Sequence, residues 1–289
     1  MSLPKLSRSS SRGALNLRGR SLQWGARTYL MGIVNATPDS FSGDGRPDAS
    51  DAVDYAVRQS EQTADIIDVG AESTRPGHTP LSEAVERERL LPVLAGIRGR
   101  LGEGVIVSAD TFKANIFRDA HAAGADILNS IWGMPDELLA VAAELRVPVV
   151  IMHNKAVAIY ENDVVDEVVA FLAEAAERAV RAGIPAEHVI VDPGIGFGKD
   201  ADHNIAVLQS LDRLVSLGFP TLLGTSRKST IGKLTGREPE ERTYGTAATI
   251  ALGIAAGIDI VRVHDVAQMR DAVSVSDAIE RGWRPHGWT

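Results

Sequence analysis

Eight short apolar runs in this chain end on polar or charged side chains, and chemistry could be done at those ends. In chain order the ends are Asn35, Glu72-Ser73-Thr74-Arg75, Asp110, Asn129, His153, Asp192, Ser226-Arg227-Lys228 and Arg262-Val263-His264-Asp265. Ser, Asp and Asn in such places also cap the helices that follow, and any one of them could do only that. Capping does not require Arg, Lys or His, so the set as a whole points to a polar ligand site where strand ends converge. Arg75, Lys228, Arg262 and His264 supply four cations suited to phosphate or carboxylate oxygens. Asp110, Asn129 and Asp192 suit the amino and amide edges of a flat heterocycle. The glycine-rich stretches Asp192-Pro193-Gly194-Ile195-Gly196-Phe197-Gly198-Lys199 and Gly43-Asp44-Gly45 match neither a P-loop nor the dinucleotide fingerprint. Taken alone they read as mobile loops.

The runs that carry these ends are 30–35, 66–72, 105–110, 127–131, 148–153, 188–193, 220–226 and 260–265. Most are apolar on both faces, as strands covered by helices must be. Between them apolar residues recur at helical spacing, as in Val164-Val165-Val168-Val169-Leu172 and Ala247-Ala248-Ile250-Ala251-Ile254. Glycine stops helices in Ala123-Gly124-Ala125, Ala182-Gly183-Ile184 and Ala256-Gly257-Ile258. Eight strands and eight helices in this order predict a single α/β domain, a (β/α)8 TIM barrel, which takes about 250 residues. A doubly wound open sheet is the alternative. Barrel sites lie at the C-terminal ends of the strands, where the polar residues fall. Ahead of the barrel, Leu15-Asn16-Leu17-Arg18 and Leu22-Gln23-Trp24 alternate around Gly19-Arg20-Ser21 and predict an N-terminal β-hairpin. The expected division is a flexible basic tail over 1–14 and one barrel domain over 15–289.

Composition excludes several classes. The 289 residues carry 30 Lys and Arg against 38 Asp and Glu, a net charge of −8, so no nucleic-acid partner is expected. Without cysteine there are no disulfides, thiolate nucleophiles, zinc–thiolate sites or iron–sulfur clusters. No apolar run approaches the ~20 residues of a membrane span, so no membrane partner is expected. Lys5, Arg8, Arg12, Arg18, Arg20 and Arg27 precede the first acid, Asp39. Organelle transit peptides share that bias, but a solvated tail leading into the hairpin is the better reading, with the cytoplasm as the default compartment.

Four motifs carry a resemblance over nearly the whole chain, from about 15 to 285. They are Asn35-Ala36-Thr37-Pro38-Asp39-Ser40-Phe41-Ser42, Glu72-Ser73-Thr74-Arg75-Pro76-Gly77, Asp192-Pro193-Gly194-Ile195-Gly196-Phe197 and Thr225-Ser226-Arg227-Lys228-Ser229. In this order the chain resembles the dihydropteroate synthases, folate-pathway transferases that sulfonamide drugs inhibit. The resemblance implies condensation of 6-hydroxymethyl-7,8-dihydropterin diphosphate with p-aminobenzoate to give 7,8-dihydropteroate and pyrophosphate. It implies a pterin held by Asp110, Asn129, Asp192 and Lys228, with Met152 on the pocket wall. Pyrophosphate would be gripped by Asn35, Arg75, Arg262 and His264, with Mg2+ bound beside Asn35. The p-aminobenzoate would lie against Thr74, Pro76, Phe197, Lys228 and Ser229, with Phe41 closing over its ring. Asn35, Arg75, Lys228, Arg262 and His264 would be the catalytic residues.

Three departures from the family pattern stand out. The loop acid is Asp44, one place from its usual position; Ser130 replaces a carboxylate; and the loop over 154–162 is of the shorter kind. Two other activities fit parts of the pattern: a pterin-dependent corrinoid methyltransferase, which needs no pyrophosphate grip, and a catalytically silent pterin-binding homologue. The seventh helix, 244–256, carries Ala247, Ala248, Ile250, Ala251, Ile254 and Ala255 over more than one face. With Val266, Met269 and Val273 beside it, that width, together with the resemblance, predicts a two-fold homodimer.

Overall fold

A computed structural model describes residues 12–37, 49–72 and 81–288. Strands β1 (Ala14–Leu17) and β2 (Arg20–Gln23) form an antiparallel hairpin. Its turn is Arg18-Gly19, at φ 52° and 72°, and not Gly19-Arg20-Ser21 as expected. Two consecutive left-handed residues give a turn whose twist matches the flanking strands, so Arg20 is free to pair with Leu17 in the ladder.

The barrel strands are β3 (Tyr29–Asn35), β4 (Ile66–Gly70), β5 (Ile106–Asp110), β6 (Ile127–Ser130), β7 (Val149–Met152), β8 (Val189–Asp192), β9 (Leu222–Leu223) and β10 (Ile260–Val263). All pair in parallel in the order β8-β7-β6-β5-β4-β3-β10-β9, and a bridge between Val191 and Thr221 closes the ring. The fold is therefore the closed (β/α)8 TIM barrel with its N-terminal hairpin, not the open sheet. The seventh barrel strand is shorter than the expected 220–226. Pro220 has no N–H to donate, and beyond Gly224 the chain turns back, with Lys228 N–H donating to the Thr225 carbonyl.

Among the described residues there are ten α-helices instead of eight. They are α1 (Ala49–Glu61), α2 (Glu83–Leu101), α3 (Ala114–Ala122), α4 (Asp136–Leu145), α5 (Val164–Arg181), α6 (Ala201–Gln209), α7 (Leu211–Val215), α8 (Ser229–Thr235), α9 (Thr243–Ala256) and α10 (Val266–Glu280). The two extra helices arise because the helix after β8 breaks at Ser210 and a short α8 precedes α9. None is long and apolar enough to cross a membrane.

Strand alternation divides the apolar residues into two cores. Outward side chains such as Ile67, Val69, Val107, Leu128 and Val149 pack under the helices. Inward side chains Met31, Ile66, Ile106, Ile127, Val150, Ile190, Leu222 and Ile260 fill the barrel floor, and Leu15, Leu22 and Trp24 of the hairpin region plug it from below. Ion pairs fasten this plug: Arg12 to Asp259, Arg18 to Asp126, and Arg20 and Arg27 to Asp65. Arg12 does not belong to a solvated tail; its guanidinium lies against the barrel, and Ala14 already stands in β1. Two residues above the floor the same alternation turns Asp68, Ser108, Asn129, Asp192 and Arg262 inward. One periodicity thus makes a dry floor and a polar mouth.

Candidate active site

Arg262 projects inward from β10 and ties the barrel together. Its Nε donates to Asp68 Oδ2 at 2.7 Å and its terminal nitrogen to Asp110 Oδ2 at 3.0 Å. The same Asp68 oxygen accepts from Asn129 Nδ2 at 3.1 Å. Side chains from β4, β5, β6 and β10 so form one connected polar cluster, in which pairing offsets the cost of burying charge. His264 follows on β10's inward side, with Nδ1 2.9 Å from Ser226 Oγ. Arg227 points elsewhere: it takes positive φ and forms a bidentate pair with Asp265.

Lys228 precedes α8, and its Nζ lies 3.9 Å from the centre of the Phe197 ring, in cation–π range. Phe197 sits in the loop after β8, where Gly194, Gly196 and Gly198 take φ 67°, 82° and 56°. A Cβ on Gly194 would strike the His153 carbonyl oxygen, and one on Gly198 the backbone of Lys155. The glycines therefore let this loop pack against 153–155, and it is not the free turn that composition alone implies. Asp192, just before it, accepts the Gly194 N–H at 2.7 Å.

Burial sets the protonation of these groups. It pushes the Asp192 carboxyl up to about 6, against the opposing pull of the Gly194 N–H, Lys228 and Arg262. It also raises Asp110, which Arg262 counteracts. The Lys228 ammonium is lowered to about 8 by burial and by Arg262, with Asp192 and Asp110 restraining the shift. Buried titratable groups shifted this near neutrality cluster at functional sites.

Asn35 ends β3 at the mouth, half-buried; Met152 is a buried wall residue at the end of β7; Ser229 opens α8 and is exposed. Phe41, Thr74, Arg75, Pro76 and Asp44 lie outside the described residues. His153, one of the polar strand ends, is buried, and its backbone N–H donates to the Asp192 carbonyl. Lys199 Nζ lies 2.8 Å from its Nδ1 and also donates to the carbonyls of Gly194 and Phe197. Burial and the neighbouring Lys199 hold the imidazole down at about 3, and burial lowers Lys199 to about 7. This pair holds the Phe197 loop. Sequence reasoning missed Asp68 and Lys199. Asp68 had a signal, as the lone charge in Ile66-Ile67-Asp68-Val69-Gly70; Lys199 was visible at the end of its motif but its partner was not.

Comparison with known proteins gives the family. Residues 31–264 match the family described as pterin binding enzyme. The chain is 43% identical over 277 residues to the dihydropteroate synthase of Bacillus subtilis (strain 168), covering 94% of this chain and 96% of that one. It superposes with a TM-score of 0.86 and 41% identity on Xanthomonas albilineans dihydropteroate synthase with 4-aminobenzoic acid, covering 94% of this chain and 99% of the other. The Thermus thermophilus enzyme in complex with 6HMPPP gives 0.81 and 42%, covering 92% and 100%. A pterin-binding barrel enzyme is the class that fold and site define. Within that class the chain belongs to the dihydropteroate synthase family.

Proposed function

We infer that the barrel mouth joins 6-hydroxymethyl-7,8-dihydropterin diphosphate to p-aminobenzoate, releasing pyrophosphate and forming 7,8-dihydropteroate. The observation that carries this reading is the cluster in which the cation Arg262 donates to both Asp68 and Asp110 and the Asn129 amide donates to the same Asp68 oxygen. Asp110, Asn129, Asp192, Met152 and Lys228 surround the pterin in this reading. Asn35, Arg75, Arg262 and His264 take the diphosphate, and Phe41, Thr74, Pro76, Phe197 and Ser229 the p-aminobenzoate. The exocyclic C–O bond breaks with its electron pair leaving on pyrophosphate, and the electron-rich ring delocalises the cation. The amine lone pair then forms the C–N bond, and the nitrogen loses a proton. Cations placed where negative charge grows lower the barrier. A neutral amine needs no strong base.

Magnesium belongs to the same reading. Among the described residues no group of three or more His, Asp or Glu could hold a metal. The Asn35 amide oxygen would hold the ion beside the diphosphate, as a hard donor of the kind magnesium accepts. Bound with substrate, it would neutralise charge on the leaving group.

Incubation with both substrates and magnesium should yield dihydropteroate by mass together with free pyrophosphate. Pterin binding without any turnover would overturn the reading. We further propose a homodimer through α9 and α10, whose outward faces expose Tyr244, Leu252, Val275 and Ile279, and a cytoplasmic setting.

A further inference from the structure

We infer that Asp68 is a positioning residue that fixes which face of the Asn129 amide looks into the barrel, and thereby the hydrogen-bond pattern read on the ring edge. The inference rests on the reading of Asn129 as a pterin contact. Asp68 is fully buried, on a strand that is otherwise apolar. A single oxygen, Oδ2, accepts from both Arg262 Nε and Asn129 Nδ2, while Oδ1 is buried with no hydrogen-bond partner among the described residues. A carboxylate paired with a guanidinium accepts and does not donate. Asn129 must therefore turn its NH2 toward Asp68 and its carbonyl oxygen away from it.

Shape alone would not do this, because the two ends of an amide are nearly the same size. Among the described residues only the acceptor character of Asp68 distinguishes them. With the amide so fixed, Asn129 joins Asp110 and Asp192 in presenting oxygen acceptors. Such a set matches a ring edge rich in N–H groups, as in a 2-amino-4-oxopyrimidine. A 2,4-dioxo ring would set carbonyl against carbonyl, and sites built on buried hydrogen bonds reject such mismatches strongly.

The test measures binding of 6-hydroxymethylpterin and of its 2,4-dioxo counterpart by calorimetry, with thermal unfolding as the check on folding. The parent should prefer the amino ring by about 100-fold. Asp68→Asn, which can both donate and accept, should reduce that preference by about tenfold or more. The double variant Asp68→Asn/Asn129→Asp exchanges amide and carboxylate at constant total charge, leaves an acceptor facing the ring, and should recover most of the preference. A residue that merely filled space would show neither the loss nor the recovery. Parental preference in folded Asp68→Asn overturns the inference. If that variant does not fold, the double variant decides alone: a folded double variant without the preference overturns it. A parent that binds no pterin overturns the functional reading and this inference together, whereas a binding parent with an unaltered variant overturns this inference only.

Discussion

The Lys228 ammonium stands above the Phe197 ring, with Asp192 and Asp110 as counter-charges and Arg262 opposing them. It stands where the ring and amine subsites of the proposed reaction meet. Lys228→Ala should lower kcat/KM by more than tenfold, a loss of at least ~1.4 kcal/mol of transition-state stabilisation. Its unfolding midpoint should hardly move, because the side chain is not part of either apolar core. Activity within twofold of the parent would remove Lys228 from the site. His153 supplies a prediction about pH. The folded protein keeps this imidazole neutral down to about 3, whereas the unfolded chain protonates it near 6.5. The unfolded state therefore binds the extra proton in that window, and stability contributed by neutral His153 is present above 6.5 and lost as pH falls. The loss is at most about 1.4 kcal/mol per pH unit. His153→Asn has no such proton to gain, so its stability relative to the parent should improve between pH 7 and pH 5 in urea titrations. A difference independent of pH would show that the imidazole is not held neutral.

The loop after β8 and the hairpin below the barrel behave as opposite ends of one machine. Gly194 takes φ 67° and its backbone lies against the His153 carbonyl. A side chain there costs about 1–2 kcal/mol of backbone strain even before the collision is counted. Gly194→Ala should therefore shift the loop that carries Phe197 and raise the KM for p-aminobenzoate several-fold, more than it raises that for the pterin. Equal changes in both would argue against a separate amine subsite. At the floor, Leu22 is buried among the inward-facing strand residues. Leu22→Ala should cost about 2–5 kcal/mol in chemical denaturation. Pterin affinity should stay at the parental value, because the floor and the mouth are separate layers of the barrel. A loss of affinity matching the loss of stability would mean that the plug shapes the site.

At the scale of the whole molecule, α9 and α10 differ from the expectation in which faces they bury. Ile250, Ile254, Met269 and Val273 turn inward and pack on the barrel, so they are not the contact surface for a second chain. Tyr244, Leu252, Val275 and Ile279 are the large apolar side chains left outside. Such side chains on two packed neighbouring helices suit a self-complementary two-fold contact. Light scattering should give twice the 30.8 kDa of one chain, and Leu252→Glu should return it to one. A single-chain mass for the parent at micromolar concentration would rule the dimer out.

The apolar strands, the glycine stops and the polar strand ends were legible in the sequence because each depends on residues a few places apart. Alternation along Ile66-Ile67-Asp68-Val69-Gly70 already separates floor, helix face and mouth. The strand ends locate Asp110, Asn129, Asp192, Lys228, Arg262 and His264 at one rim as soon as the barrel is assumed. The hairpin turn slipped by one residue because it depends on left-handed φ at Arg18, which a non-glycine residue does not advertise. Pairing across the barrel was beyond any local pattern. Arg262 meets Asp68 and Asp110 over separations of 194 and 152 residues, and Lys199 meets His153 over 46. Those partners are chosen by closure of the ring and by the packing of one loop on another. Side-chain type and spacing therefore decided where charge could gather in this protein, and the tertiary structure alone decided which charges neutralise one another, because burial leaves each group only the partners that closure brings within reach.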